Sequence, residues 1–201
     1  MKNTSIYFLL ISLVFFLIAC GNDTVYTPKP RGFPRVIYPE KAYQPFDKNY
    51  CSFTFDYPKY AQIVQDTSYF EEKPVNDCWF DIDVPQFNAR IHCSYYDIDK
   101  KNPLTKLMSD AFTLAGKHNI KADYIDEIKI EKNNHVSGFL FDIQGPAASP
   151  FQFYLTDSTK HFMRGALYFK TAARPDSLRP VIDFMKQDIV KMVNTFEWNK
   201  K

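Results

Sequence analysis

Residues 178–196 read LRPVIDFMKQDIVKMVNTF and contain the strongest structural signal in the chain. Apolar side chains recur there every three or four residues, at Leu178, Val181, Ile182, Met185, Ile189, Met192, Val193 and Phe196. This spacing places them on one side of an α-helix. Asp176 or Ser177 is expected to cap the start of that helix. Because so long an apolar stripe must be buried, the helix predicts a sheet as its packing partner.

Strand patterns occupy most of the chain before this helix. In residues 51–58 (CSFTFDYP), apolar and polar side chains alternate with the period of two that a half-buried strand shows. Further strands are predicted at residues 79–84, 89–95, 124–131, 135–143, 151–156 and 161–169. Polar residues at 133–134 and 157–160 form short turns, so the strands that they join should be antiparallel neighbours.

A second, shorter helix is predicted between the strands at 89–95 and 124–131. Its apolar positions are Leu104, Leu107, Met108, Ala111, Phe112, Leu114 and Ala115, with Asn102 as a cap and Pro103 at the first position. The fold class is therefore α+β, with an antiparallel sheet packed by the long C-terminal helix and by this second helix. The order of elements resembles the α/β/α sandwich of PsbP-like and Mog1-like domains, a topological likeness that implies no function.

Composition excludes several classes of protein. The 201 residues include 25 Lys+Arg and 23 Asp+Glu, for a formal net charge of +2. This balance argues against a strongly basic nucleic-acid-binding protein and against an acidic disordered chain. Only 6 glycines are present, which argues against a glycine-rich phosphate-binding fold, and 45% hydrophobic residues can form one packed core.

The N-terminal residues 1–19 have the features of a secretory signal peptide. Lys2 precedes a predominantly apolar run of 14 residues, Ile6–Ala19. A membrane-spanning helix needs about 20 residues, so this run is too short for a comfortable span. Its length and flanking charge are typical of a signal that is removed on export.

The residues that follow indicate a lipid anchor. Leu17-Ile18-Ala19-Cys20-Gly21 resembles the lipobox of bacterial lipoproteins. By that resemblance, Cys20 receives a diacylglyceryl group on its thiol and an acyl group, such as palmitate, on the amine that cleavage exposes. More than one acyl chain makes such an anchor stable. The mature protein is therefore expected to be held at a membrane of the cell envelope, on the periplasmic side, with the outer membrane favoured over the inner one.

A proline-rich arm separates Cys20 from the predicted domain. The prolines are Pro28, Pro30, Pro34, Pro39 and Pro45, and basic residues are interleaved at Lys29, Arg31, Arg35 and Lys41. Proline favours extended backbone, but the aromatic residues here are too frequent for a fully solvated linker. We expect the later part of the arm to lie against the domain or a partner. The predicted organisation is a signal peptide at 1–19, a lipidated arm at 20–48 and a single domain at 49–201.

Three cysteines follow Cys20, and an oxidising compartment favours one disulfide among them. Cys51 and Cys78 both lie at the beginning of predicted strands, so we expect them to pair. Cys93 lies in phase with apolar residues of its strand, which suits a buried free thiol. Pairing of Cys78 with Cys93 across a hairpin is the alternative. None of the spacings is typical of a zinc site, and we expect no metal or cofactor.

Candidate catalytic residues are sparse. Asp157, Ser158, Lys160 and His161 contain the side chains of a hydrolytic triad, but neighbours on a tight turn rarely point at one reacting atom, and no GxSxG motif supports them. His92 alternates with apolar residues and is expected to face solvent. The carboxylate pairs Asp81/Asp83 and Asp97/Asp99 are interpreted as solvated edges of strands, and the aromatic stretches 139–141 and 151–154 as core rather than as a ligand platform.

Several stretches together resemble the gliding-motility lipoprotein GldD, over essentially the whole mature chain. They are Tyr26–Gly32, Tyr38–Lys41, Phe46-Asp47, Phe53–Pro58, Pro85–Asn88, Ile91-His92, Lys117–Asp123, Phe153–Phe169, Asp176–Leu178 and Pro180–Phe184. The run TDSTKHF within Phe153–Phe169 is the most specific of them. Membership implies an envelope lipoprotein that supports movement over surfaces, in connection with the type IX secretion machinery. The family is not known to catalyse a reaction, so the resemblance implies no catalytic residues.

The leading hypothesis is a non-enzymatic component that acts by contacting other envelope proteins, without nucleic acid or a small-molecule substrate. Its candidate contact residues are Asp157, Ser158, Thr159, Lys160 and His161 in the TDSTKHF turn, together with the proline-rich arm. One alternative is a membrane-anchored module that binds a small ligand or glycan, which a deep pocket between sheet and helix would favour. The other is a hydrolase using Ser158 and His161, which requires these side chains within hydrogen-bond reach in a cleft.

Overall fold

This computed structural model describes residues 35–49, 51–65, 76–171 and 174–199. The described part of the chain contains both strands and helices. The strands are β1 (Tyr43–Pro45), β2 (Phe53–Thr54), β3 (Asp56–Pro58), β4 (Gln62–Gln65), β5 (Phe80–Val84), β6 (Ala89–Asp97), β7 (Tyr124–Lys132), β8 (Val136–Gln144), β9 (Phe151–Thr156), β10 (His161–Phe169) and β11 (Glu197–Trp198). The helices are α1 (Leu104–Gly116) and α2 (Pro175–Thr195), with 3-10 turns at Pro85–Phe87 and Lys117–Ile120.

The central sheet has seven strands in the order β4-β5-β6-β10-β9-β8-β7. Every neighbouring pair is antiparallel. Short turns account for the pairs β5–β6, β7–β8 and β9–β10, because hairpins join strands that are adjacent along the chain. Two smaller ribbons, β1–β3 and β2–β11, complete the described strands. The predicted antiparallel sheet is confirmed.

Each face of the central sheet has its own hydrophobic core. On one face, α2 buries Val181, Met185, Ile189, Met192 and Val193 against strand residues such as Ile82, Ile91 and Leu167. On the other face, α1 buries Leu107, Ala111 and Ala115 against Phe141, Ile143, Tyr154 and Phe162. The sheet is thus the middle layer between two helices. The α+β class and the α/β/α arrangement predicted from the periodicities are confirmed.

Aromatic rings dominate the α2 side. Phe46, Phe53, Phe55 and Phe80 are each at most 2% exposed. Their ring centroids lie 4.7–6.3 Å apart, within the range of favourable aromatic contacts. Phe46 and β1 belong to the stretch assigned to the arm from sequence. The folded part therefore extends upstream of residue 49.

Two local predictions were wrong. The strand at 51–58 divides at Phe55, because β2 pairs with β11 whereas β3 pairs with β1. Each short segment has a different partner, although Phe53 and Phe55 keep the alternation and point into the core. The predicted helix caps are also absent. Pro103 and Arg174 occupy the N-cap positions, and neither forms a side-chain capping bond.

The C-terminal end of α2 is capped from a distant strand. Lys132 Nζ on β7 donates to the carbonyl oxygens of Val193 (3.1 Å), Asn194 (2.8 Å) and Phe196 (2.8 Å). The last carbonyls of a helix lack partners within the helix, and a cation is favourable at that end. Lys132 therefore fixes the end of α2 against the edge of the central sheet.

Candidate functional site

The TDSTKHF turn between β9 and β10 is held by the carboxylate of Asp157. Its Oδ1 accepts hydrogen bonds from the backbone N–H groups of Thr159 (2.9 Å), Lys160 (2.8 Å) and His161 (2.8 Å). Its Oδ2 accepts the Thr159 hydroxyl (2.9 Å). Ser158 has a φ of 66°, in the left-handed region that tight turns require. One side chain thus determines the shape of the whole turn.

These bonds also control the charge of Asp157. Burial raises the pKa of the Asp157 carboxyl, but the backbone N–H groups of His161, Lys160 and Thr159 together lower that pKa below its usual value. Hydrogen bonds that favour the ionised form produce such a lowering. The ionised carboxylate of Asp157 therefore holds the backbone of the turn. A substitution of Asp157 would change the conformation of the turn as well as its exposed surface.

The side chain of His161 packs against residues of neighbouring strands. Its Nδ1 lies 2.6 Å from the Tyr95 hydroxyl of β6, and its ring stacks on Trp198 of β11 with centroids 5.2 Å apart. The Tyr95 hydroxyl also donates to Asp97 at 2.9 Å. Ser158 and His161 share no side-chain hydrogen bond. The arrangement therefore does not assemble the Ser158–His161 pair that a hydrolase would need.

The side chains available to a partner are those of Ser158, Thr159 and Lys160, which are exposed. Asp157 and His161 are partly buried and hold the backbone in place. The sequence hypothesis treated all five residues as one contact surface. The structure separates a solvent-facing tip, residues 158–160, from the two residues that support it.

A buried ion pair that sequence reasoning missed joins the arm to α2. Asp188 on α2 is 1% exposed. It accepts hydrogen bonds from Lys41 Nζ (2.6 Å), from the Tyr43 hydroxyl (2.9 Å) and from the Tyr60 hydroxyl. Lys41 Nζ also donates to the Phe184 carbonyl (2.8 Å) and lies 3.4 Å from the centroid of the Phe184 ring. We call this cluster the Lys41–Asp188 latch.

Burial affects the titration of the groups around Asp188. Desolvation lowers the pKa of Lys41, although the bond to Asp188 opposes this shift. Desolvation, followed by the hydrogen bond to Asp188, raises the pKa of Tyr43 to about 12 and that of Tyr60 further. The hydroxyls therefore remain protonated donors over the physiological pH range.

The arm continues from the latch toward the end of the sheet opposite the tip. Tyr38 packs on Phe184 and Phe87, and the Ile37 carbonyl accepts a bond from Gln86 (2.6 Å) beside the β5–β6 turn. That turn lies at the far end of β10, where the Lys170 N–H donates to the Asn88 carbonyl (2.7 Å). β10 has nine residues, so Ile37 and the tip lie about 30 Å apart.

The family model for gliding motility lipoprotein GldD matches residues 23–198. The chain belongs to the GldD family. The match includes the arm, the central sheet and both described helices, so the GldD resemblance seen in the sequence is confirmed.

One solved structure is also similar to this GldD-family chain. It is cyanobacterial PsbP (CyanoP) from Synechocystis sp. PCC 6803, in a solution structure, with 12% sequence identity and a TM-score of 0.45. The similarity covers 80% of this chain and 94% of that chain. No functionally curated protein matches the chain at a significant level.

The cysteines of this GldD-family chain were also predicted site residues. Cys51 and Cys78 form a disulfide with Cα atoms 5.5 Å apart. Cys93 is free and buried, and burial raises the pKa of its thiol well above the usual value. The signal peptide at 1–19 and the lipidation site Cys20 lie outside the described residues.

Other sequence expectations concern histidine and carboxylate side chains. His92 was expected to face solvent, but it is partly buried and its Nδ1 lies 2.8 Å from Asp81. Asp81 also accepts a bond from Arg90 (3.2 Å), so it is paired rather than simply solvated. No group of three or more metal-ligating side chains is found in the described part of the chain. Within the same residues, no helix has the length and apolar character to cross a bilayer.

Proposed function

We propose that this GldD-family protein is a non-enzymatic lipoprotein of the cell envelope that supports gliding motility and type IX secretion through protein–protein contacts. The family match over residues 23–198 is the observation that carries the proposal. The rigid turn with an exposed tip supports it, because a preordered loop loses little entropy when a partner binds. The absence of an assembled Ser158–His161 pair removes the main support for hydrolysis.

The proposed anchor explains how the domain would be presented. Residues 1–19 would be removed, and Cys20 would be diacylated and acylated at the periplasmic side of a membrane, with the outer membrane favoured. Residues 20–35 of the arm could span at most about 50 Å, and the domain would follow it. The exposed tip, residues 158–160, would then be available to other envelope proteins.

Lipidation at Cys20 makes a direct prediction. Cells expressing the protein and fed an alkyne-bearing palmitate analogue should label it, and Cys20→Ala should abolish the label and release the protein from the membrane fraction. Cys93→Ala is the matched control, since Cys93 is fully buried and free, and it should label normally. Persistent labelling and membrane retention of Cys20→Ala would contradict the anchor.

The tip makes a second prediction. Lys160 is exposed and has no ion-pair partner among the described residues, so Lys160→Glu should reverse the charge of the tip without disturbing the fold. In a deletion strain, this variant should accumulate normally but restore markedly less colony spreading and secretion than the wild type. Lys59→Glu makes the same charge change at another exposed lysine and should restore both.

Site-specific crosslinking completes this test. A photo-reactive residue at Thr159 should capture an envelope protein in intact cells, whereas the same residue at Lys59 should not capture it. If Lys160→Glu supports full spreading and Thr159 yields no crosslinked protein, the tip is not the contact surface. Asp157 and His161 are unsuitable for this comparison, because their side chains support the turn and the adjacent strands.

A further inference from the structure

A groove runs between α1 and the neighbouring strands β6 and β10, on the face of the sheet away from α2. Its volume is about 410 Å³, within the range of small-ligand sites. Among the described residues, α1 packs mainly over β8, β9 and β10, and the groove lies beside the helix above β6 and β10. Lys106, Asp110 and Thr113 line it from α1, and Asn102 and Lys117 line it from the residues that flank the helix.

The register of β6 and β10 explains the depth of the groove. Tyr96 is paired with Phe162, Ser94 with Arg164, and His92 with Ala166. All six side chains point to the α1 face, because residues two apart share a face of a sheet. Ser94 and Ala166 are small, so the floor is lowest beside Arg164.

The charge of the groove is predominantly positive. Among the described residues, its lining contains the cations Lys106, Lys117 and Arg164 and one carboxylate, that of Asp110. None of the three cations forms an ion pair with a carboxylate among the described residues. Lys106 and Lys117 lie about 16 Å apart along the axis of α1, and Arg164 lines the same groove from β10. Cations that converge on a concave surface without counter-ions favour an anionic occupant.

A hydrogen bond to an uncharged residue orients the Arg164 side chain without neutralising its charge. Its Nη2 donates to Oε1 of Gln152 at 2.5 Å, and Gln152 is 1% exposed and carries no charge. The amide fixes the direction of the guanidinium and leaves its other donors for a ligand. Burial, followed by the charge of Arg164, lowers the pKa of His118.

We propose that the groove binds a small organic anion with carboxylate or phosphate groups. Arg164 would contact an anionic group at the centre, and Lys106 and Lys117 would contact charged groups toward the two ends. Ser94 and Asn102 would supply neutral hydrogen-bonding groups. This site is separate from the tip at residues 158–160, and the proposal does not depend on a role in motility or secretion.

Titration of the mature chain in detergent micelles tests the site. Citrate, inorganic phosphate and the neutral disaccharide maltose serve as the probes, followed by calorimetry and by amide chemical shifts. At least one anion should bind with shifts centred on residues 106–117 and 162–168, whereas maltose should not. Comparison of citrate with phosphate distinguishes a carboxylate from a phosphate ligand, and the affinity should fall as salt is added.

Variants decide whether the groove is responsible. Arg164→Gln should weaken anion binding at least tenfold, and so should Lys106→Gln/Lys117→Gln, whose two exposed positions allow the fold to persist. Lys59→Gln/Lys129→Gln removes the same charge from exposed lysines elsewhere and should bind like the wild type. The proposal is overturned if neither anion shifts these residues, or if the control pair weakens binding as much as the groove pair.

Discussion

Lys41→Met is expected to lower the free energy of unfolding by about 3–5 kcal/mol, the cost of leaving a buried charge without its partner. Asp188 is 1% exposed and accepts from Lys41 at 2.6 Å. Methionine has an unbranched apolar side chain like the lysine stem, so the main loss is the ammonium with its bonds to Asp188 and to the Phe184 carbonyl. The two tyrosine hydroxyls would remain, but they cannot neutralise the carboxylate. Urea denaturation measures the loss directly, and for a domain of this size the melting temperature falls by about 2–4 °C per kcal/mol.

Two further variants assign this loss to the latch. Lys191 lies on α2, the helix that carries Asp188, and forms a more exposed ion pair with Asp56 at 3.5 Å. Lys191→Met should therefore lower the free energy of unfolding by about 1 kcal/mol or less. Lys41→Met/Asp188→Asn removes both charges and should recover part of the stability that Lys41→Met loses. Equal losses for Lys41→Met and Lys191→Met would show that the latch does not stabilise the fold.

The latch is also one of the contacts that hold the arm against α2. Lys41→Met should increase the rate at which a protease cleaves within residues 35–45, because the strongest contact between this segment and α2 is lost. The same variant allows a functional comparison. If presentation of the tip requires an ordered arm, Lys41→Met will reduce motility at temperatures where the domain itself remains folded.

Removal of the Cys51–Cys78 disulfide is expected to destabilise the domain by about 3–4 kcal/mol in the chain-entropy model. The bond closes a loop with a sequence separation of 27 residues, so its loss gives the unfolded chain considerable freedom. Both cysteines are 2% exposed. Cys51→Ala/Cys78→Ala should therefore unfold at lower urea concentration than the wild type.

The free thiol supplies the control for this experiment. Reduction should destabilise the wild type and Cys93→Ala by similar amounts but should not further destabilise Cys51→Ala/Cys78→Ala. Peptide mapping without reduction should recover a peptide that links Cys51 to Cys78. Recovery of a Cys78–Cys93 link instead, or unchanged stability on reduction, would refute the pairing.

Regular elements of the fold were predictable because their signals are local. The apolar stripe of residues 178–196 corresponds to α2, and the strands at 151–156 and 161–169 agree with β9 and β10 in their bounds. Periodicity reports which side chains share a face of one element, and that is decided by backbone geometry. β1 and β4 were missed because strands of three and four residues are too short to show a period.

Part of the candidate site was also predictable. The polar run at 157–160 identified the turn, and the TDSTKHF residues pointed to the family. Which of these side chains would face solvent was not predictable, because it depends on bonds between Asp157 and the backbone and on the Trp198 ring against His161. A turn sequence specifies that the chain reverses, whereas tertiary contacts decide which side chains are used to hold it.

The sequence by itself determined the α+β class, the main strands and helices and the GldD resemblance, because each depends on neighbours along the chain. Only the tertiary structure decided the role of Lys41 and Asp188, which are 147 positions apart and meet in the latch. In the sequence, Lys41 is one basic residue of a proline-rich arm and Asp188 one polar residue of a helix. Likewise, Lys106, Lys117 and Arg164 line one groove only because the fold packs α1 beside β6 and β10.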